Sequence, residues 1–306
     1  LAPRSTDGSA RGADGGARPA EPLSERNPRV VSAVKLHRAP ERRKRGLFLA
    51  EGANAVIAAL ESRPDAHPDS AVQPTGTGAC TEIFYAASAA GRPGIHDALA
   101  RAQACGIPVR QVTERAAARL SETVTPQGIV AVCRLLDVGL DEALGPATPG
   151  LVAVPVGVAD PGNAGTIVRI ADAMGARAVV LAGDSVDPHN GKCVRSSAGS
   201  VFHVPIARRR DTAGALAELR DRGVRILATA ADGEVDVDDA DDILAGPTAW
   251  LFGNEAHGLA PGDAAAADHR VRIPIGGRAE SLNLATAAAI CLHASARAQR
   301  RAGTRG

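Results

Sequence analysis

The sequence predicts an α/β protein in two parts: a C-terminal, mostly parallel sheet with helices on both faces, preceded by a smaller α/β domain. Three observations carry this. From residue 151 onward, short runs of Val, Ile, Leu and Ala alternate with stretches of helical length and period, as strands buried on both faces do. Between residues 47 and 133 the alternation recurs less cleanly. Hydrophobic residues make up 45% of 306 positions, enough for two ordinary cores, and with aromatics at 2% those cores must be built from Val, Leu, Ile and Ala.

Residues 1–24 are Gly, Ala, Pro, Ser and Arg with almost no large apolar side chain, and are expected to form a disordered tail. Residues 25–136 form the first domain, which opens basic. Arg26, Arg29, Lys35, Arg38, Arg42, Arg43, Lys44 and Arg45 face the single acid Glu41. Val30, Val31, Val34 and Leu36 give this stretch one apolar face and predict a short helix. A charge run is often just a solvated face. An excess of seven positive charges over residues 26–46 instead marks these cations as candidate nucleic-acid contacts. A strand at 47–50, a helix at 52–60 and a Pro/Ser/Gly loop at 64–77 follow. Then come a strand at 82–86, a helix at 95–105, a strand at 109–112 and a helix at 114–120. The turn Pro126-Gln127-Gly128 feeds a buried strand ending near Val132. Residues 137–150, with Pro146 and Pro149, read as a linker.

The second domain, residues 151–300, places strands at 151–156, 178–181, 202–206, 224–229, 248–252 and 271–275. Helices fit at 163–174, 192–198, 212–222 and 284–298. Ligands of such a sheet sit at the carboxyl ends of its strands. No G-x-G-x-x-G follows the first strand and no Walker motif occurs, which disfavours a dinucleotide site or P-loop. A serine hydrolase built on Ser281, His257 and an Asp lacks its nucleophile elbow, since no G-x-S-x-G occurs.

Three stretches share one form, a strand followed by a Gly/Asn-rich polar turn. The first runs Asp160-Pro161-Gly162-Asn163-Ala164-Gly165-Thr166-Ile167-Val168-Arg169. The second is Trp250-Leu251-Phe252-Gly253-Asn254-Glu255-Ala256-His257-Gly258-Leu259. The third is Ile273-Pro274-Ile275-Gly276-Gly277-Arg278-Ala279-Glu280-Ser281-Leu282-Asn283-Leu284. In the third, the glycine pair permits a backbone path close to a ligand, and Ser281 is read as the N-cap of the Ala-rich helix after it. In this order the three blocks resemble the three motifs of the SpoU/TrmH branch of the knotted SPOUT RNA methyltransferases. The match rests on Asn163, Gly165 and Arg169, on Gly253, Asn254, Glu255, Gly258 and Leu259, and on Pro274, Glu280, Ser281, Leu282 and Asn283.

The resemblance implies ribose 2′-O-methylation of RNA with S-adenosylmethionine as cofactor, no metal, and a deep trefoil knot that residue spacing alone does not reveal. It implies that residues 25–136 are a ribosomal-protein-like RNA-recognition domain. It assigns catalysis to Arg169, Ser281, Asn163, Asn283 and Glu255. Cofactor binding falls to Leu251, Gly253, Asn254, Glu255, Gly258, Ile273, Ile275, Ser281 and Leu282. A guanidinium holds its proton too firmly to act as base, so Arg169 is expected to grip the target phosphate or the developing alkoxide, with proton loss through Ser281 or water. Taken as an ordinary surface residue, Arg169 would instead pair with Asp172 at i+3. The segment from Lys192 to Gly199 resembles a further family block and makes Arg195 a candidate RNA contact; Arg208-Arg209-Arg210 is either another or a solvated turn. Large-subunit ribosomal RNA is the implied substrate, with transfer RNA or a non-catalytic RNA-binding role as alternatives. A homodimer is the implied assembly. The Arg, Ala and Gly bias, common in actinobacterial sequences, extends the resemblance to avilamycin- or thiostrepton-type resistance enzymes.

Composition narrows the rest. Net charge is only +1, so RNA contact must come from local patches. Few aromatics disfavour a reader that works by base stacking. The five cysteines, Cys80, Cys105, Cys133, Cys193 and Cys291, form no C-x-x-C and read as free thiols of a reducing cytoplasm. No apolar run reaches the ~18 residues a membrane span needs.

Overall fold

In the computed structural model, which describes residues 21–62 and 78–303, each part of the chain builds its own sheet. Residues 1–20 of the expected tail and the loop expected at 64–77 lie outside the described residues. Helices α1 (Pro28–Val34) and α2 (Ala39–Arg45) precede β1 (Leu47–Glu51) and α3 (Ala53–Glu61). They are followed by β2 (Cys80–Ala86), α4 (Pro93–Ala104), β3 (Val109–Val112), α5 (Glu114–Leu120) and β4 (Ile129–Arg134). The strand order is β1-β4-β2-β3, with β4 antiparallel to both neighbours and β2 parallel to β3. Local chemistry sets the ends. Asn27 caps α1 ahead of Pro28, Thr113 caps α5, and Gly46 at φ +64° closes α2.

The second part begins earlier than expected, with β5 (Asp137–Val138) and α6 (Leu140–Leu144). It continues through β6 (Leu151–Pro155), α7 (Pro161–Ala173), β7 (Ala178–Ala182), α8 (Gly191–Ser197), β8 (Ile206–Arg209) and α9 (Thr212–Asp221). It closes with β9 (Arg225–Thr229), β10 (Val235–Asp236), α10 (Asp241–Leu244), β11 (Thr248–Phe252), α11 (Pro261–Ala265), β12 (His269–Arg272) and α12 (Leu284–Gly303). Its eight strands run parallel in the order β10-β12-β9-β11-β6-β7-β8-β5. Every residue of β6, β7 and β11 is buried. Alternate side chains of β6 feed different cores: Leu151 and Ala153 join Ile167 of α7 and Leu292 of α12, while Val152 and Val154 join Leu216 and Leu219 of α9.

Three expectations are corrected. Residues 137–150 are not a bare linker, because Asp137 and Val138 pair with Ile206 and Ala207 as an edge strand and Leu140 and Leu144 of α6 are buried beneath it. The strand expected at 202–206 is a 3₁₀ turn at Ser200–Phe202, followed by β8 from Ile206. Pro205 has no N–H for a ladder, so pairing starts after it, with its carbonyl accepting from Val179. The strand expected at 271–275 is β12 at 269–272, which stops short of Pro274 for the same reason.

The two sheets share a firm junction. Phe48 of β1 lies 4.8 Å from the His189 ring and stacks on Phe202 at 5.8 Å. Gly199, at φ +104°, lets α3 approach so closely that a Cβ there would meet Ala58 at 3.2 Å. Arg42, 3% exposed, donates to Asp187 at 2.8 and 3.0 Å and to the carbonyls of Leu36 and His37. Burial pushes the Asp187 carboxyl up, but hydrogen bonds from His189 and Arg42 more than reverse this and hold it far below the usual carboxylate range.

Arg42→Ala strands the Asp187 charge in a buried site, at a cost of about 3 kcal/mol in urea unfolding at neutral pH. Because the folded-state pKa of Asp187 is depressed, its contribution is present above the unfolded carboxylate pKa near ~4 and is lost as pH falls below it. The stability gap between wild type and variant should therefore narrow in acid.

Candidate active site

The site is built where β6 and β11, neighbours in the sheet, release their carboxyl ends. Asp160 caps α7 by accepting from Asn163 N–H at 2.9 Å, and Pro161 occupies the first helical position, where no donor is needed. Lys192 of α8 donates to the other oxygen of Asp160 at 2.6 Å. That ammonium, together with the Asn163 N–H, holds the Asp160 carboxyl below its usual range.

After β11 the chain folds back tightly over residues 253–258. Gly253 is required there, because a Cβ would fall 2.2 Å from the Gly258 carbonyl carbon. Asn254 and Gly258 exchange backbone hydrogen bonds, and the Asn254 side chain donates to Gly157 O at 2.8 Å. This turn aims Glu255 at the start of α7. One carboxylate oxygen accepts from Ala159 N–H at 3.1 Å; the other accepts from Asp160 N–H at 3.0 Å and from the Asn163 amide at 3.1 Å. Burial pushes Glu255 up, yet these donors outweigh it and keep the carboxyl below its ordinary value. Glu255 lies in the turn after β11, outside any helix, and serves the N-terminus of α7.

The third stretch joins through Asn283, whose amide donates to Asn163 Oδ1 at 3.1 Å across 120 residues of chain. Asn283 is also the cap of α12, accepting from Ala285 and Thr286 N–H. Ser281, read as that cap, is not: it is exposed, two residues upstream, and has no hydrogen bond among the described residues. Asn163, Glu255 and Asn283 thus form one chain of hydrogen bonds. Arg169 stands apart, six residues along α7 from Asn163, which is roughly 9 Å along the axis and a third of a turn around it. It is exposed and makes no ion pair among the described residues, because Asp172 is taken by His203 at 2.9 Å.

The other expected residues divide by exposure. Ile275 and Leu282, at 38% and 37%, are large apolar side chains on the surface, and Ile273 is partly buried. Gly276 and Gly277 have open space around them and neither adopts a left-handed φ. Leu251 points into the core, so only its backbone faces other groups; its carbonyl accepts from Thr229. Gly165 is a packing glycine, since a Cβ would lie 2.1 Å from Ser196 Oγ of α8.

Of the expected RNA contacts, Arg26, Arg29, Lys35, Arg38, Arg43 and Lys44 are exposed, with Arg29 pairing with Glu82 at 3.3 Å. Arg42 is withdrawn into the domain junction, and Arg45 donates to Ser32 O at 2.6 Å. Arg195 faces Glu51 at 3.7 Å and Glu122 at 3.9 Å across the junction, so it too is engaged by protein. Sequence reasoning assigned no role to Asp160 or Lys192; an Asp before Pro-Gly at a helix start was the available signal for the first.

Comparison with known proteins places this geometry. Residues 150–293 match the SpoU rRNA Methylase family, and residues 27–131 match the MRM3-like substrate binding domain. The chain is 33% identical to the 23S rRNA (guanosine(2553)-2′-O)-methyltransferase RlmP of Bacillus subtilis, over 88% of this chain and 96% of that one. Among solved structures, the AdoMet-bound rRNA methyltransferase of Sinorhizobium meliloti superposes with a TM-score of 0.73 at 32% identity, covering 90% of this chain and 96% of that one. The SpoU methyltransferase AviRb of Streptomyces viridochromogenes, in complex with AdoMet, does so at 0.73 and 27% identity, covering 90% and 99%.

Glu255→Gln turns one accepting oxygen into a donor facing donors. Discounted for the exposure of the site, the cost to stability is about 1 kcal/mol. Amide exchange at Ala159 and Asp160 should speed up selectively, and unchanged exchange there would show that Glu255 does not hold this loop.

Proposed function

The chain belongs to the SpoU rRNA methylase family, and from that premise we propose that it methylates a ribose 2′-hydroxyl of large-subunit ribosomal RNA. Its cofactor is S-adenosylmethionine, which supplies an electrophilic methyl group on a sulfonium. The observation that carries the reading is the hydrogen-bond chain Glu255–Asn163–Asn283, which draws the three family stretches to one point at the carboxyl end of the sheet. The residues suit the cofactor: Ile275 and Leu282 offer apolar surface for an adenine ring, and the glycine pair between them leaves room for close backbone approach.

Each residue then has a defined task. Arg169, exposed and without an ion-pair partner among the described residues, can hold the target phosphate or the alkoxide as it forms. Ser281, exposed and with no hydrogen bond among the described residues, can relay the hydroxyl proton to water. Asn163 and Glu255 are positioning residues, since their polar side-chain atoms bond each other and the start of α7. Asn283 has one amide hydrogen left for the ribose after its bond to Asn163. Leu251 contributes to the pocket through backbone alone.

Residues 25–136 act as the recognition domain in this reading, supported by the match of residues 27–131 to a substrate binding domain. The exposed Ile275, Leu282 and Ile290 support a homodimer formed through the catalytic part. The trefoil knot and a cytoplasmic setting go with the same assignment, and no helix among the described residues is long and apolar enough to cross a membrane. Whether methylation protects ribosomes from an antibiotic depends on the nucleotide modified.

Radiolabelled S-adenosylmethionine offered with large-subunit, small-subunit and transfer RNA should label the first, at an alkali-resistant linkage. Arg169→Ala should lower kcat at least ~100-fold while cofactor affinity holds. Label in transfer RNA alone would reassign the substrate; cofactor binding with no label in any RNA would favour a non-catalytic role.

A further inference from the structure

A second basic surface lies outside the hydrogen-bonded cluster. A groove of about 550 Å³ runs between the two parts of the chain, with Arg43 of α2 on one side and Arg208, Arg209 and Arg210 on the other. Its acids are Asp184 and Asp187. Asp187 is already paired with buried Arg42 and hydrogen-bonded to His189. Asp184 faces Arg210 at 3.6 Å, but both side chains are about nine-tenths exposed, where a pair is worth little. Arg208 lies 3.9 Å from Asp137 and Arg209 3.4 Å from Glu218, both partly exposed, and Arg43 has no ion pair among the described residues. Net positive charge therefore faces the groove.

Its position links recognition to chemistry. The floor is the carboxyl end of β7 and β8, where Gly183 N–H donates to Arg209 O. The next loop over is the one Glu255 holds: Gly157 N–H donates to Ala182 O, Val186 N–H to Val158 O, and Val158 N–H to Ser185 Oγ. Arg43 cannot drift from this floor, since its neighbour Arg42 is fastened to Asp187 in the groove wall. Guanidinium forks suit phosphate oxygens, and among the described residues no aromatic side chain lines the groove to stack a base.

We propose that this groove binds the phosphodiester backbone of the RNA strand and carries it from α2 to the site at Asn163 and Glu255. The proposal rests on the RNA-methyltransferase reading. Its test is the variant Arg43→Ala/Arg208→Ala/Arg210→Ala, with Arg101→Ala on α4, outside the groove, as control. Binding to naked large-subunit ribosomal RNA is measured across salt concentrations, alongside methyl transfer and cofactor binding. The expected slope of log affinity against log salt is shallower by about 2. The expected KM for RNA rises about tenfold, with kcat and cofactor affinity nearly unchanged. Arg43→Ala/Arg210→Ala alters only exposed side chains and should move the slope by about 1, while the triple Lys variant should restore most of it. A slope and KM equal to those of Arg101→Ala would overturn the proposal. So would a loss seen on assembled subunits but not on naked RNA, which would identify a protein partner. If wild type binds cofactor yet labels no RNA, the methyltransferase reading fails by itself, and the salt slopes still judge the groove.

Discussion

The carboxylate of Glu255 is the interaction on which the site depends. It receives two backbone N–H groups and one side-chain amide from the start of α7. The Asp160 N–H, at the cap position, is one of the groups a helix N-terminus leaves without an internal partner, and an anion there also meets the positive end of the helix dipole. The parallel sheet makes the meeting possible. Phe252 and Pro155 are paired in register, and Val156 N–H donates to Phe252 O, so the loops leaving β6 and β11 emerge side by side. Two stretches 92 residues apart thereby become neighbours, and Asn163 extends the contact to Asn283.

Close packing keeps those loops in register. Gly165 lets α7 settle on α8, and Gly253 lets the turn after β11 fold on itself. Helix α12, which also packs on α7, is pinned to the sheet by Ser295, whose hydroxyl accepts from Trp250 Nε1 at 2.8 Å and bonds Thr248 at 3.1 Å. Gln299 donates to the carbonyls of Gly150 and Gly246. A cap residue such as Asn283 can hold an amide toward Asn163 only because the helix it begins is fixed at several points along its length. Gly165 and Gly253 are thus explained by packing, whereas Gly258 has open space around it and is set by its left-handed backbone at φ +67°.

Much of this was legible from residue order. The parallel core strands β6, β7 and β11 were placed within a residue or two, because runs of Val, Ile, Leu and Ala bounded by turn residues have few other readings. The meeting of Asn163, Glu255 and Asn283 was legible only as family resemblance, since spacing says nothing of contacts across 92 or 120 residues. Ser281 and Asn283 are both good cap residues, and only the geometry of the chain leaving Gly277 chose between them. Arg42 illustrates the deeper limit. In a run of cations nothing local distinguishes the one turned inward, because its partner Asp187 lies 145 residues away.

That inward turn bears on how recognition and chemistry communicate. A recognition unit on a free linker would add affinity through effective concentration alone, and its orientation would be averaged by motion. Here residues 137–150 are built into the second sheet, Phe48 packs on His189 and Phe202, and Arg42 is fastened to Asp187. The two parts therefore meet at one fixed angle, and the cost of setting it is met during folding. If the first part is the recognition domain, as its match to a substrate binding domain supports, an RNA strand held there approaches the second part from a set direction. A reaction that needs an oxygen and a methyl group aligned for in-line attack gains from that rigidity, because misplacement of about 1 Å can cost ~100-fold in rate.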